Sequence, residues 1–232
     1  MKKILLISVI LNALCAAAVG HMAPPPTPRE ELTRAGVPLV AYALIKALNH
    51  PDGEVRMYAA IVLGEDRVKR AVPDIRKALH DQTSHVRVAA AGSLIKMGDD
   101  TGLPILLKAI RDADVAVAIL ASNQLLANDR SDGFEDLLAK MHSGLAPFDR
   151  WLMLAQLAEY GYRFSELRLK VLDQLLRSLH EDPSKDVRVA AVLGLARFDE
   201  GQAALREAEQ HDPDPEVRFH AHWGIRPPPK KQ

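Results

Sequence analysis

Five histidines recur at matching places along the chain: His50, His80, His142, His180 and His211, with Arg111 in the remaining place. A ladder of imidazoles raises the question of metal binding, because neutral imidazole is a common ligand for zinc, copper and iron. The spacing argues against it. If each histidine sits on its own stacked helix, successive rings lie about 10 Å apart, the ordinary helix-packing distance. A metal takes its nitrogens at about 2.1 Å, so one ion cannot bridge successive rungs. A partly cationic residue near a helix C-terminus accounts for the pattern through the helix dipole. His220 and His222 are two residues apart, about 200° around a helix, and cannot chelate together. No metal site, cofactor or catalytic residue is expected.

A second ladder consists of Arg56, Arg87, Arg150, Arg188 and Arg218. It could form an anion-binding stripe. Each arginine, however, lies beside the aspartates of an expected turn, where it can hydrogen-bond a carboxylate or carbonyl of a neighbouring repeat. A structural role is therefore expected. The chain has no Gly-rich phosphate loop and no Gly-x-Ser-x-Gly elbow.

The elements that must position these residues follow from internal repetition. Aligned on the arginine, the chain reads Arg56, Arg87, Ala118, Arg150, Arg188 and Arg218, with steps of 31, 31, 32, 38 and 30 residues. The residue before it is Val55, Val86, Val117, Asp149, Val187 or Val217. Three after it come Ala59, Ala90, Ala121, Met153, Ala191 and Ala221, and seven after it Leu63, Leu94, Leu125, Leu157, Leu195 and Ile225. Offsets −1, +3 and +7 share one face of a helix, so each set is the buried stripe of a second helix, B, in its repeat. A helices with aliphatic stripes lie between them, near 39–48, 71–79, 103–110, 134–141, 167–179 and 203–208. Polar turns such as His50-Pro51-Asp52, Asp112-Ala113-Asp114, Asp182-Pro183-Ser184 and Asp212-Pro213-Asp214 join A to B, and their Asp or Ser can cap the B helix. Gly64, Gly98 and Gly161 are placed where chains leave a helix. Two departures mark the middle of the chain. Ala118 replaces the arginine, and Asp149 replaces the valine before a 38-residue step containing Tyr160-Gly161-Tyr162-Arg163-Phe164. Least regularity is expected there.

A two-helix unit cannot bury its apolar face alone, so such units stack. The pattern Asp-x-Asp-x-x-Val-Arg-x-x-Ala-x-x-x-Leu resembles the HEAT-like repeats named after phycobilisome lyases. The resemblance spans roughly residues 37–226 and implies an all-α fold, a right-handed α-solenoid of about six two-helix repeats. It says little about function. His180-Glu181 resembles the His-Glu pairs by which HEAT-repeat deoxyhypusine hydroxylases hold two irons, but that family needs several facing pairs and this chain has one. Some secreted sulfatases carry such repeats beside a Cys-x-Pro/Ser-x-Arg motif. Cys15 is followed by Ala16-Ala17-Ala18-Val19, so that motif is missing.

Composition agrees with helices packed through small side chains: 48% of residues are hydrophobic and only 5% aromatic. Lys2-Lys3 followed by an apolar run to Leu14 and by Ala18-Val19-Gly20 reads as a secretory signal peptide over 1–20, too short in its apolar core to span a bilayer. An exported protein, periplasmic or extracellular, is expected. Lipidation at Cys15 is the alternative, set against Leu14 and Asn12, which fit lipoprotein processing poorly. Residues 21–36 form a Pro-rich linker and short capping helix, in which Thr27, Pro28 and Glu30 make a helix start. Residues 227–232 are a Pro/Lys tail. Removing 1–20 takes away Lys2 and Lys3 and no acid, so 30 basic and 30 acidic residues become 28 and 30, a formal charge of −2. That balance disfavours nucleic acid.

With −1, +3 and +7 buried, positions +1 and +5 of each B helix point away from the core. The pairs are Met57 and Ile61, Val88 and Gly92, Ile119 and Asn123, Trp151 and Ala155, Val189 and Leu193, and Phe219 and Trp223. Either they form an exposed apolar groove, the mark of an interaction site, or neighbouring B helices bury most of the +1 residues. The protein-binding residues expected on the first outcome are Met57, Ile61, Trp151, Leu193, Phe219 and Trp223. The function expected is a scaffold for a protein or peptide partner, without membrane insertion once the signal is removed. Two alternatives are a non-catalytic subunit holding substrate for a lyase or hydrolase, and a nucleic-acid-binding HEAT-like protein.

Overall fold

Thr27 opens the first helix by reciprocal capping: its hydroxyl accepts from the Glu30 amide and the Glu30 carboxylate accepts from the Thr27 amide. This helix, α1 (Pro28–Arg34), is the first among residues 26–226, which the computed structural model describes. The expected signal peptide, Cys15, most of the Pro-rich linker and the Pro/Lys tail lie outside the described residues.

Twelve further α-helices alternate as A and B. They are α2 (Ala41–Ala47), α3 (Gly53–Glu65), α4 (Val72–Ala78), α5 (Ser84–Lys96), α6 (Leu103–Ile110), α7 (Val115–Leu126), α8 (Phe134–Met141), α9 (Pro147–Arg163), α10 (Arg168–Glu181), α11 (Lys185–Leu195), α12 (Gln202–His211) and α13 (Pro215–Gly224). No strand occurs among the described residues. Asp52, Asp114 and Asp214 cap α3, α7 and α13 by accepting from the amide two residues on. Ser184 does not cap α11. Its own amide is instead held by Asp182, two residues earlier.

The chain divides between Gly133 and Phe134 into two compact units. In the first, α3 packs on α5 and α5 on α7, with α2, α4 and α6 against them; α1 lies on α3. In the second, α9 packs on α11 and α11 on α13, with α8, α10 and α12 alongside. The −1, +3 and +7 stripe is buried throughout, except at Asp149 and at Ile225, which follows the last helix. The division falls between the two places where the repeat pattern lapses. Ala118 opens the last helix of the first unit, and Gly144 stands in the second unit's first turn where Asp81, Asp182 and Asp212 stand in others.

Three B helices close in the same way. Arg67, Gly98 and Asp129, each eleven residues past the arginine position, are left-handed at φ 48°, 86° and 52°. The next amide then reaches back to the +7 leucine: Val68 to Leu63, Asp99 to Leu94 and Arg130 to Leu125. Gly64 and Gly161 have a different reason from the one expected. Both lie inside helices, and a Cβ on Gly64 would sit 2.5 Å from the Ser93 hydroxyl, one on Gly161 2.8 Å from Val171. They set close helix approach rather than a turn. At the long fourth step, where least regularity is expected, the extra residues stay helical: they extend α9 to 17 residues and α10 to 14, and Tyr160 is wholly buried against Phe134 and Phe164.

Leu94, fully buried at the centre of the first unit, tests this register. Leu94→Ala should lower unfolding free energy by about 2–5 kcal/mol, read by urea denaturation. A loss under about 0.5 kcal/mol would place the side chain outside the core.

Candidate functional site

Three arginines of the ladder are clamps between repeats. Arg56 donates from Nε and Nη2 to both carboxylate oxygens of Asp81 in the next turn, at 2.7 and 2.9 Å. Arg150 grips Asp182 at 2.7 and 2.8 Å, and Arg188 grips Asp212 at 2.9 and 3.2 Å. The remaining nitrogen, Nη1, donates to carbonyls of the arginine's own turn: His50 and Pro51 for Arg56, Leu145 for Arg150, Asp182 and Pro183 for Arg188. Each clamped aspartate also accepts the amide two residues on, that of Thr83, Ser184 or Asp214. One side chain thus shapes the turn and receives the clamp. The Arg56 and Asp81 side chains are only 8% and 11% exposed. Hydrogen bonding from Arg56 holds the Asp81 carboxyl below the usual carboxylate range despite its burial.

The histidines sit apart. His50 accepts the Asp52 amide in its turn, and His80, His142, His180 and His211 are exposed at the A-helix ends. His222 pairs with Glu209. Among the described residues no group of three or more His, Cys, Asp or Glu could hold a metal ion, and no helix is long and apolar enough to cross a membrane.

The outer face of the B helices differs from one unit to the other. In the first unit the +1 side chains Met57, Val88 and Ile119 are buried. Met57 therefore offers no surface, contrary to the groove expectation, because neighbouring B helices close over this position; Ile61 at +5 is half-buried. In the second unit Val189 is buried, Trp151 and Leu193 are half-buried, and Phe219 and Trp223 stand 58% and 73% exposed. Among the described residues no helix follows α13 to cover its +1 and +5 positions. Their rings meet edge-on, centroids 6.2 Å apart, while Trp151 stacks on exposed Phe148 at 6.1 Å.

Compared with known families, the chain matches the model for HEAT repeats over residues 41–127 and 172–226, more than half its length. The chain belongs to the HEAT-repeat family. Among solved structures, it is similar to the complex of CpcE and CpcF of phycocyanin lyase from Nostoc sp. PCC7120, at 21% identity over 79% of this chain and 75% of that one, with a TM-score of 0.50. It is also similar to a designed armadillo repeat protein, at 20% identity over 78% and 97% of the two chains with a TM-score of 0.48. Human deoxyhypusine hydroxylase in complex with glycerol is a third, at 19% identity over 79% and 82% with a TM-score of 0.30. The family match and the likeness to the lyase complex show the fold, an α-solenoid. No curated protein matches the sequence.

The HEAT-repeat match omits residues 128–171, the stretch holding Gly144 and Asp149. Two surface features of this HEAT-repeat chain escape the −1, +3, +7 reading. One is Tyr162, exposed beneath the Arg197 guanidinium at 4.4 Å. The other is Arg87, which lacks the carboxylate that Arg56, Arg150 and Arg188 hold. No sequence signal points to the second, because the alignment places Asp112 opposite Arg87 just as it places Asp81 opposite Arg56.

The Asp81 clamp gives an acid signature. A carboxyl whose folded pKa is depressed adds stability that is fully present above its unfolded value, about 3.9. That stability is lost as pH falls below about 4 through the depressed pKa. Urea midpoints measured between pH 6 and 3 should fall more steeply for the parent than for Asp81→Asn. Parallel curves would mean the clamp contributes nothing.

Proposed function

We propose that this HEAT-repeat protein is an exported, non-catalytic scaffold, periplasmic or extracellular, that grips a protein or peptide along the B-helix face of its second unit. The observation that carries the reading is the exposure of Phe219 and Trp223. Solvent does not favour two large rings standing side by side in water, and aromatic anchors of this kind concentrate binding energy at interfaces. Successive B helices place Trp151, Val189 and Phe219 at one register position and Ala155, Leu193 and Trp223 at the next. At about 10 Å per helix step the two aromatic pairs mark a ledge about 20 Å long. That length suits an extended peptide or one face of a helix. Export rests on the Lys2-Lys3 and apolar leader pattern, and the near-neutral charge fits a protein partner better than nucleic acid.

The first check needs no partner. In a Trp151→Phe background, acrylamide should quench Trp223 strongly, and a fully protected indole would remove the ledge. In pull-downs from an exported fraction, Trp223→Ala should weaken retention of the bound protein by about 2 kcal/mol, roughly 30-fold. Helicity should stay unchanged. Equal retention by parent and variant would contradict the binding face.

A further inference from the structure

Like Arg218, which bonds only the carbonyls of Asp212 and Pro213, Arg87 departs from the clamp of Arg56, Arg150 and Arg188. Its Nη1 is anchored as theirs are, donating to the carbonyls of Asp81 at 2.7 Å and Gln82 at 3.1 Å. The guanidinium is therefore held in the same way, yet among the described residues the Nε and Nη2 edge has no carboxylate. In Arg56, Arg150 and Arg188 that edge takes two carboxylate oxygens. Asp81, close by, is already held by Arg56. Asp112, at the matching register position, is exposed and makes no ion pair with Arg87; its Oδ1 accepts the Asp114 amide.

Arg87 lines a cleft of about 320 Å3 between the second and third repeats, inside the first unit. His80, Ser84, Lys108 and the two acids Asp81 and Asp112 join Arg87 on its polar wall, and Val88 and Ile105 are among its apolar lining. A carboxylate bonded to Arg87 would find a second cation in Lys108 and an apolar surface for the carbon chain it is attached to. A paired, fork-shaped donor edge selects a planar two-oxygen acceptor.

We propose that this cleft is a binding site for a carboxylate-bearing ligand with a short apolar body, seated bidentately on Arg87 as Asp81 is seated on Arg56. The group comes either from an acidic side chain of a peptide or from a free carboxylic acid. The site lies in the first unit and stands independently of the aromatic ledge in the second.

The test is an NMR titration of the intact protein, following the Arg87 side-chain Nε–H signal. The probes are butyrate, its uncharged analogue butyramide and a blocked Ala-Glu-Ala tripeptide. Butyrate and the tripeptide should shift the signal saturably with dissociation constants on the order of millimolar, as expected of a single small contact, and butyramide should not. Tighter binding of the tripeptide assigns the site to peptide acids, and tighter binding of butyrate assigns it to free acids. Arg87→Lys, which keeps the charge and loses the fork, should weaken binding by about tenfold or more, followed on the Lys108 and Val88 signals. Asp112→Asn, which removes a nearby negative charge, should tighten it severalfold. Absence of a saturable shift in the parent protein overturns the proposal without reliance on any variant. Binding seen only in Asp112→Asn overturns it as well, since Asp112 would then be the resident carboxylate.

Discussion

The arginine that opens a B helix and reaches the aspartate of the next turn is the interaction that fixes the register at three of the repeat junctions. Apolar stripes bring helices together without fixing how far one slides along another, because hydrophobic attraction has no direction. A guanidinium fork has direction. Arg56, Arg150 and Arg188 are each anchored to carbonyls of their own turn and bonded through two nitrogens to the next aspartate. The pair is largely shielded from water, so its attraction is strengthened and loss of one partner strands the other. The aspartate's second duty, holding the amide two residues on, ties the shape of the turn to the spacing of the repeats.

Much of this was legible in the sequence, for a physical reason. Which residues a helix buries against its own A helix depends on the helix period alone, so Val86, Ala90 and Leu94 declared themselves by spacing. The Thr27–Glu30 capping box and the Asp52, Asp114 and Asp214 caps are equally local. What was not legible depends on distances between helices. Small residues let the B helices approach so closely that Met57, Val88 and Ile119 vanish from the surface, and no wheel contains that distance. Gly64 looked like a helix end because glycine does occur there. Only its 2.5 Å approach to Ser93 shows that it is an approach point. Ser184 looked like a cap, and the adjacent clamp aspartate took over the turn instead.

Where a clamp is missing, or no further helix covers a B helix among the described residues, surface becomes available. On α13 the +1 position that is buried in the first unit stands open as Phe219, with Trp223 beside it, and at Arg87 a clamp is built on one side only. Both follow from the same rule of stacking, one as an apolar face and the other as a charged one. The candidate sites are thus interruptions of the repeat rather than additions to it, which agrees with the lack of any motif for chemistry in the sequence.

A double-mutant cycle on Arg56 and Asp81, followed by urea denaturation at pH 7, tests the clamp most directly. Arg56→Met alone should cost about 3 kcal/mol, because it leaves a shielded carboxylate without its partner. Asp81→Asn alone should also destabilise, and the double variant should lose clearly less than the two together, with a coupling of at least about 1 kcal/mol. Additive losses, with coupling under about 0.3 kcal/mol, would mean that the paired side chains sit side by side without holding the repeats in register.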